Sequence, residues 1–211
     1  MKKPKKEAEA ESENANQAQV KKRSNKPLLF VVQKHKATSL HYDFRLEIGG
    51  VMPSWSIPKG PTLDSSVKRL AMPTSDHDLE YRTFEGVIPK GEYGAGPVMI
   101  WDEGTYSPEV EASKGVRRIV EDRGEAEKVA SQSLQKGNLK FTLYGKKLKG
   151  SFALVRTKMP FGGAKNRDTW LLIKHKDQYS EAGYDAKDYD FSAVSNLSID
   201  EIAAGEALGK N

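Results

Sequence analysis

The 211-residue sequence predicts a mainly β protein, a compact antiparallel β-barrel with one or two short flanking helices and disordered termini. Many short runs of alternating or β-branched residues are separated by Gly and Pro, a pattern typical of all-β folds. Only one longer segment, about residues 116–136, has a helical pattern. The first 26 residues contain too few apolar side chains to form a core. Many short strands with few helices favour a small barrel or sandwich.

Nine segments have the alternation and the bounding turn residues of strands. They are residues 28–33, 40–47, 51–57, 69–73, 98–102, 104–106, 139–144, 150–157 and 169–174. Gly49 and Gly50 predict a tight hairpin turn between the second and the third of these. Trp55, Trp101 and Trp170 each fall within a strand-like run, so we expect them in the core.

The remaining segments are assigned from their caps and glycines. Residues 116–136 are predicted to be helical, and Gly137 is predicted to end that helix. Ser198 with Glu201 three residues later predicts a capping box for a short helix near 198–204. The glycine-rich segment 88–97 lacks the Gly-Lys-Ser/Thr ending of a P-loop, so we expect a connecting loop that borders a substrate groove.

The charge distribution divides the chain into three parts. We predict a disordered tail at 1–26, a barrel domain at 27–177 and an acidic C-terminal extension at 178–211. Residues 1–26 carry a net charge of +4, residues 27–176 carry +7, and residues 177–211 carry −6. A polyanion is a reasonable partner for the basic central part. A solvated, well-charged surface explains the same numbers, and charge alone leaves both interpretations open.

Composition excludes several classes of site and of location. The chain has no Cys, which excludes disulfides, thiolate zinc sites and Cys nucleophiles. Any metal must therefore be held by His and carboxylate side chains. The basic start is followed by no apolar run of a signal peptide, and no apolar run reaches the length of a membrane span. We expect a cytoplasmic protein, monomeric and without a membrane partner.

Segment 40–47 contains the side chains best suited to bind a ligand or take part in catalysis. Its alternation predicts a half-buried strand with His41, Asp43 and Arg45 on one face. The opposite face is predicted to pack into the core through Leu40, Tyr42, Phe44 and Leu46. An imidazole, a carboxylate and a guanidinium in a row cost desolvation free energy unless they are paired or bind a ligand. This face is the best candidate for a site.

His35, His41 and Asp43 are candidate metal ligands. His41 and Asp43 project from the same strand face, and His35 precedes them by one short loop. Two His and one carboxylate with open positions suit Mn²⁺, Fe²⁺ or Zn²⁺. The alternative is that His35 lies at the surface at a strand end, and that Asp43 and Arg45 form an ordinary ion pair.

Four cationic or titratable side chains form a second group of candidates. Arg45 offers a planar fork that matches phosphate oxygens. His77 lies between Asp76 and Asp78, whose carboxylates would favour its protonated form and a role as phosphate partner or general acid. Lys59 follows a strand in a rigid loop, and Arg69 lies within another strand. Taken singly, these two are more simply explained as solvated surface cations.

Several segments in order resemble the 3′-phosphoesterase domain found at the N-terminus of bacterial DNA ligase D and as stand-alone bacterial and archaeal proteins. The segments are His35-x5-His41-x-Asp43-Phe44-Arg45-Leu46-Glu47, Ser54-Trp55-Ser56-Ile57-Pro58-Lys59-Gly60-Pro61, Lys68-Arg69-Leu70-Ala71, Asp76-His77-Asp78-Leu79-Glu80-Tyr81, Phe84-Glu85-Gly86-Val87-Ile88-Pro89 and Tyr93-Gly94-Ala95-Gly96. The later Gly137-x-Leu139-x-Phe141, Lys147-Leu148-x-Gly150, Leu154-Val155-Arg156 and Trp170-Leu171-Leu172-Ile173-Lys174 segments are similar too. The resemblance covers roughly residues 28–177.

This resemblance implies a β-barrel enzyme that trims DNA 3′ ends during end repair. Members of the family use Mn²⁺ to remove a terminal ribonucleoside, which leaves a 3′-phosphate, and then hydrolyse that phosphate to a 3′-OH. Co²⁺ or Zn²⁺ are alternative metals. The implied roles are metal ligation by His35, His41 and Asp43, phosphate binding by Arg45 and His77 with help from Lys59 and Arg69, and support by Tyr81, with Gln33 nearby.

Two departures from the family pattern concern the first of these two steps. Nothing in residues 1–26 aligns with the acidic and basic residues that assist ribonucleoside removal in the ligase-linked domain. Ser75 stands two positions before His77, where a glutamate is common in the family. Hydrolysis of a 3′-phosphate is therefore our main expectation.

Two other classes of function compete with this interpretation. A β-barrel Fe(II) oxygenase would use His41 and Asp43 with His77 or His175 as third ligand, and would leave His35 free. A non-catalytic module that holds DNA ends would bind in a salt-dependent way and need no metal. For the phosphoesterase, the expected partners are DNA 3′ ends on a primer-template and a separate ATP-dependent DNA ligase, a polymerase and an end-binding protein.

Overall fold

A computed structural model describes residues 26–157 and 168–205 of the chain. Within these residues the chain forms ten β-strands and two α-helices, together with single 3₁₀ turns at Leu79–Thr83 and Ala186–Asp188. The strands are β1 (Leu28–Lys36), β2 (Leu40–Leu46), β3 (Val51–Ile57), β4 (Lys68–Asp78), β5 (Gly86–Ile88), β6 (Gly96–Ser113), β7 (Val116–Ile119), β8 (Asn138–Gly145), β9 (Lys149–Thr157) and β10 (Thr169–Lys174). The helices are α1 (Arg123–Gln135) and α2 (Ile199–Ala203).

Eight of the strands close into an antiparallel barrel, as the sequence predicts. Their order is β1, β2, β3, β4, β10, β9, β8 and β6, and β6 pairs back onto β1. The short strands β5 and β7 pair with β6 outside this ring. Closure leaves no unpaired edge among the eight strands, which explains how so many short segments form one stable sheet.

The barrel interior contains the apolar face of each strand. Tyr42, Phe44 and Leu46 of β2 are all at most 1% exposed, as their alternation predicts. Leu40 is an exception, because it is the first residue of β2 and is 37% exposed. The three Trp residues are buried in the core as expected. Phe44 stacks on Phe141 of β8 at a centroid distance of 5.9 Å, which joins opposite walls of the barrel.

Several element boundaries differ from the predicted ones. The strand predicted to end at 33 continues to Lys36, and the two strands predicted at 98–102 and 104–106 form one long strand, β6. The predicted helix over 116–136 is wrong in its first part, where β7 pairs with β6. The helix begins after Asp122, whose side chain accepts a hydrogen bond from the Glu125 amide and caps the first turn.

The segment after β10 packs against the barrel core. Tyr184, Ala186, Ile199 and Ile202 all belong to the main hydrophobic core. The predicted capping box of α2 is present, with hydrogen bonds between Ser198 and Glu201 in both directions. The predicted disordered tail at 1–26 lies outside the described residues, except for its last residue. No helix in the described ranges has the length and apolarity needed to span a membrane.

Candidate metal centre

The register between β1 and β2 brings the three predicted ligands together. His35 pairs directly with His41, and Gln33 pairs with Asp43. The extension of β1 beyond residue 33 is what places His35 opposite His41, within a strand instead of in a loop. One ligand atom from each of His35, His41 and Asp43 lies within 4.8 Å of the others. This spacing is close enough for one ion to contact all three.

Backbone carbonyls orient both imidazole rings. His35 Nε2 lies 2.8 Å from the Gly94 carbonyl oxygen, and His41 Nδ1 lies 2.9 Å from the Ser39 carbonyl oxygen. A nitrogen that faces a carbonyl carries a proton, so the nitrogen of each ring with a lone pair to offer a metal is the other one. These are His35 Nδ1 and His41 Nε2, which lie 3.9 Å and 3.6 Å from the Asp43 carboxylate oxygens. Metal-ligating imidazoles in proteins are oriented in this way.

The environment favours the neutral imidazole that a metal requires. His35 is 7% exposed and Asp43 is 8% exposed. Burial lowers the pKa of His35, which keeps the ring neutral at physiological pH. Two imidazoles and one carboxylate form a donor set suited to Mn²⁺, Fe²⁺, Co²⁺ or Zn²⁺.

Arg45 lies beside the triad and has nearly all of its hydrogen-bond donors in use. Its Nε–H donates to Gln33 Oε1 and one Nη1–H donates to Ser54 Oγ, both at 2.8 Å. Nη1 also lies 2.9 Å from His77 Nδ1, and Nη2 donates to Asp43 Oδ2 at 2.9 Å. Four of the five N–H groups are thus engaged, and the fifth, on Nη2, has no partner among the described residues. The guanidinium is 2% exposed and locked in one orientation.

His77 belongs to the same cluster, but its expected protonation is wrong. Burial lowers the pKa of His77, and the positive charge of Arg45 lowers it further. The carboxylates of Asp43 and Asp76 act in the opposite direction but count for less. Because Nδ1 accepts a hydrogen bond from Arg45, the proton of neutral His77 is on Nε2. The lowered pKa of His77 therefore favours a neutral hydrogen-bond donor over the cation that the flanking carboxylates suggest.

Gln33 and Tyr81 connect the cluster to the 3₁₀ turn that follows β4. Gln33 is fully buried, and its Nε2 donates to the carbonyl oxygens of Tyr81 at 3.1 Å and Phe84 at 2.9 Å. The Tyr81 ring lies 4.8 Å from the His77 ring and 5.1 Å from Arg45 Cζ. The side chains predicted around the metal therefore form one connected layer on the outer surface of β1 to β4.

The two remaining predicted cations are placed differently. Lys59 lies just beyond Ile57, the partner of Tyr42 in β2, and is exposed without a hydrogen bond or ion pair to any described residue. Arg69 pairs with Leu172 and lies two positions from Ala71, so it shares the face that Ala71 buries in the core. The structure thus does not bring Arg69 to the cluster, and Lys59 forms no hydrogen bond or ion pair with the cluster's described residues.

Ser54 belongs to the same cluster, although no role for it was predicted from the sequence. Its hydroxyl donates to the Met52 carbonyl at 2.7 Å and accepts from Arg45, and it lies 3.4 Å from His77 Nδ1. The signal was available, because Ser54 and Ser56 alternate with Trp55 in the same period-two pattern as β2. Gly94, whose carbonyl orients His35, carries no such signal because the contact is made by the backbone.

The structure does not assemble the alternative ligand set of an Fe(II) oxygenase, in which His77 or His175 would replace His35 beside His41 and Asp43. His35 takes part in the triad, and Nδ1 of His77 is occupied by Arg45. His175 lies in β10's continuation, in contact with Arg117 and Ser151 on another face of the barrel. The prediction that His77 or His175 would complete a triad with His41 and Asp43 is therefore wrong.

Comparisons with known proteins agree with this arrangement. Residues 33–156 match the family model of the DNA ligase D 3′-phosphoesterase domain. The chain is 44% identical over 150 residues to the multifunctional non-homologous end joining protein LigD of Pseudomonas aeruginosa, and 42% identical over 149 residues to the LigD DNA repair protein of Mycobacterium tuberculosis. Each match covers 71% of this chain but only 15% and 16% of the relative's length.

The matched region contains the metal triad, Arg45, His77 and Tyr81, so the resemblance and the geometry concern the same residues. The family model covers more than half of the chain. The chain therefore belongs to the DNA ligase D 3′-phosphoesterase domain family.

Proposed function

We propose that the protein hydrolyses the 3′-phosphate at a DNA end to a 3′-OH, with Mn²⁺ as the metal. The observation that carries this proposal is the triad of His35, His41 and Asp43, whose ligand atoms lie within 4.8 Å of one another directly beside the buried Arg45. Membership of a family named for 3′-phosphoesterase activity supports the same reaction.

The triad fits a divalent ion through its chemistry as well as its spacing. His35 Nδ1, His41 Nε2 and an Asp43 oxygen are the three donors that would hold it. When bound, the ion would polarise a phosphoryl oxygen and lower the pKa of a coordinated water. The backbone carbonyls that orient both rings would leave one nitrogen of each facing the ion.

Arg45 and His77 would bind the phosphate. Arg45 has one free Nη2–H and a full positive charge, and its four other donors hold it in place. A cation that is already oriented stabilises negative charge on the phosphoryl oxygens without reorganisation during the reaction. His77 would donate its Nε2–H to a phosphoryl oxygen. Since its pKa is lowered, we assign it hydrogen bonding and not proton donation to the leaving group.

Lys59 and Tyr81 would support this site from its rim. Lys59 is exposed and free to approach a DNA phosphate, and Tyr81 packs against both His77 and Arg45. The proposal includes a second reaction at the same metal: where the DNA ends in a ribonucleoside, that ribonucleoside is removed before the phosphate is hydrolysed. The 3′-OH product is what a DNA ligase or a polymerase requires, so we infer that such enzymes, supplied separately, use it next.

The test is turnover of a primer-template that ends in a 3′-phosphate, with and without Mn²⁺. We expect conversion to the 3′-OH end with Mn²⁺, complete loss after chelation, and recovery when Mn²⁺ is added back. A matched primer that ends in one ribonucleotide measures removal of the terminal ribonucleoside in the same assay. Far-UV circular dichroism of the chelated protein should be unchanged, because the barrel core lies on the opposite face of the strands.

A folded protein that leaves both substrates intact with every divalent metal would overturn the proposal. Salt-dependent DNA binding without turnover would then favour the alternative of a DNA-end-binding module.

A further inference from the structure

Tyr93 is the most exposed large side chain of apolar character in the described part of the chain. Its relative exposure is 104%, compared with 59% for Val194 and 56% for Val116, which follow it. A ring that is fully in water makes no contribution to the core. Exposed aromatic rings are instead suited to stack on flat ligands, and every nucleobase offers such a face.

The loop that carries Tyr93 has a defined conformation. Glu92 N donates to the Pro89 carbonyl and Ala95 N donates to the Glu92 carbonyl, each at 3.2 Å, so the loop consists of two successive turns. Tyr93 and Gly94 are the central residues of the second turn, and Gly94 has φ +77°, as the third position of a type II turn requires. Tyr93 therefore lies at the corner of a turn, where its side chain projects outward.

The loop is also held tightly against the end of β1. A Cβ on Gly96 would lie 2.3 Å from the Lys36 carbonyl oxygen, so only glycine permits this approach. The Gly94 carbonyl accepts the hydrogen bond from His35 Nε2 at 2.8 Å. Tyr93 is thus bonded directly to the residue that orients a proposed metal ligand. A position so fixed loses little conformational entropy when it binds.

We propose that Tyr93 stacks on the nucleobase of the 3′-terminal nucleotide while the phosphate of that nucleotide lies at the metal centre. The terminal base is the nucleobase nearest to the 3′-phosphate, and Tyr93 is an exposed aromatic residue whose neighbour Gly94 bonds the proposed metal ligand His35. The proposal rests on the proposed function for the position of the phosphate. It makes the site selective for nucleotide ends over simple phosphate esters.

Binding is tested first, without turnover. A primer-template with 2-aminopurine as its 3′-terminal base is titrated with the chelated protein, and fluorescence quenching reports stacking on that base. We expect quenching by the wild type and by Tyr93→Phe, and its loss in Tyr93→Ala. Tyr144→Ala is the matched control, because Tyr144 is an exposed tyrosine, 47% accessible, on β8 away from the metal triad. Quenching that survives in Tyr93→Ala would overturn the proposal.

Steady-state kinetics with Mn²⁺ give the second measurement. Tyr93→Ala should raise KM about tenfold with kcat unchanged, the range expected for loss of one stacked base. On a primer whose terminal residue is abasic, wild type and Tyr93→Ala should have the same KM. If wild type and Tyr93→Ala have equal KM values on the normal primer, stacking is refuted but the proposed phosphoesterase activity is not. If the wild type quenches through Tyr93 but never hydrolyses the 3′-phosphate, the proposed phosphoesterase activity is refuted but stacking is not.

Discussion

Two outer faces of the same barrel each carry an arginine that bridges a carboxylate, a serine and a histidine. On the face formed by β1 to β4, Arg45 contacts Asp43 at 2.9 Å, Ser54 at 2.8 Å and His77 at 2.9 Å. This quartet lies beside the metal triad. It is almost fully withdrawn from solvent, since the Arg45 side chain is 3% exposed.

On the face formed by β6, β7, β9 and the end of β10, Arg117 plays the same part. It contacts Glu109 at 3.0 Å and Ser151 at 3.0 Å, and it makes a short contact with His175 Nδ1. The Arg117 side chain is 33% exposed. Composition and contacts alone would make the two quartets hard to distinguish.

The difference lies in what surrounds each quartet. His35 and His41 form a cross-strand pair next to Asp43, and backbone carbonyls orient both rings. The face around Arg117 has no second histidine within a metal-binding cluster in the described residues. An arginine that satisfies a carboxylate, a serine and a histidine is thus a general way to pair polar groups outside a barrel. In the described residues, only the face around Arg45 adds the pair of histidines that completes a candidate metal site.

The largest effect that separates the two faces should come from the histidines. His41→Ala removes one of three proposed ligands, so we expect 3′-phosphate hydrolysis to fall by roughly a thousandfold or more. His175→Ala removes the histidine of the other quartet and should leave the rate within twofold of wild type. Phosphate release from the primer-template measures both. Equal losses in the two variants would contradict the assignment of the catalytic face.

A smaller difference should separate the two arginines. Arg45→Lys keeps the charge but replaces five fixed donors by three, so the four partners Gln33, Asp43, Ser54 and His77 cannot all be satisfied. We expect a loss of about a hundredfold in kcat, the size of effect seen when an oriented donor to a transition state is removed. Arg117→Lys, in a partly exposed quartet, should change kcat less than threefold. Single-turnover rates at saturating Mn²⁺ test this, and a tolerant Arg45→Lys would mean that orientation of the guanidinium is unimportant.

The smallest expected effect is a change of Tm with pH, to which histidines on both faces contribute. Burial lowers the pKa of His35, His77 and His175 below the unfolded value of about 6.5. Their contribution to stability is therefore present above pH 6.5 and is lost as pH falls toward the lower, folded-state pKa values. We expect the Tm of the chelated protein to decrease by on the order of a few degrees over this interval.

Adding Mn²⁺ should separate the contributions of the two faces to the pH dependence of Tm. Protons compete with the metal at His35, so the increase in Tm on adding Mn²⁺ should shrink as pH falls through the lowered folded-state pKa of His35. His175→Asn should reduce the pH dependence of the chelated protein but leave the Mn²⁺ effect unchanged. Thermal melts at several pH values measure both quantities. A His175 variant that alters the Mn²⁺ effect would show that the two faces are coupled.

Much of the site was predictable because alternation along one strand is a local property. The order of residues 40–47 was enough to assign Asp43 and Arg45 to one face and Phe44 to the core. The absence of Cys limited any metal site to His and carboxylate ligands. The short helix at the C-terminal end was predictable for a similar reason, because its cap depends on two residues three positions apart.

The error over 116–136 has an equally specific cause. Val116 and Ile119 pair with β6, a strand that begins twenty residues earlier in the chain. Helical periodicity in a short polar segment is a weak signal, and sheet pairing overrides it. Only the part after the Asp122 cap, where local signals agree, forms a helix.

The sequence by itself determined the barrel class, the face on which the polar groups lie and the three side chains suited to a metal. The tertiary structure decided that His35 lies across from His41, that Arg69 shares the core face of Ala71 and that the pKa of His77 is lowered. The physical reason is that side-chain alternation is set within a strand, whereas register and burial depend on the strands that pack around it. A carboxylate next to His77 in sequence counts for less than the buried guanidinium that the fold brings to its ring.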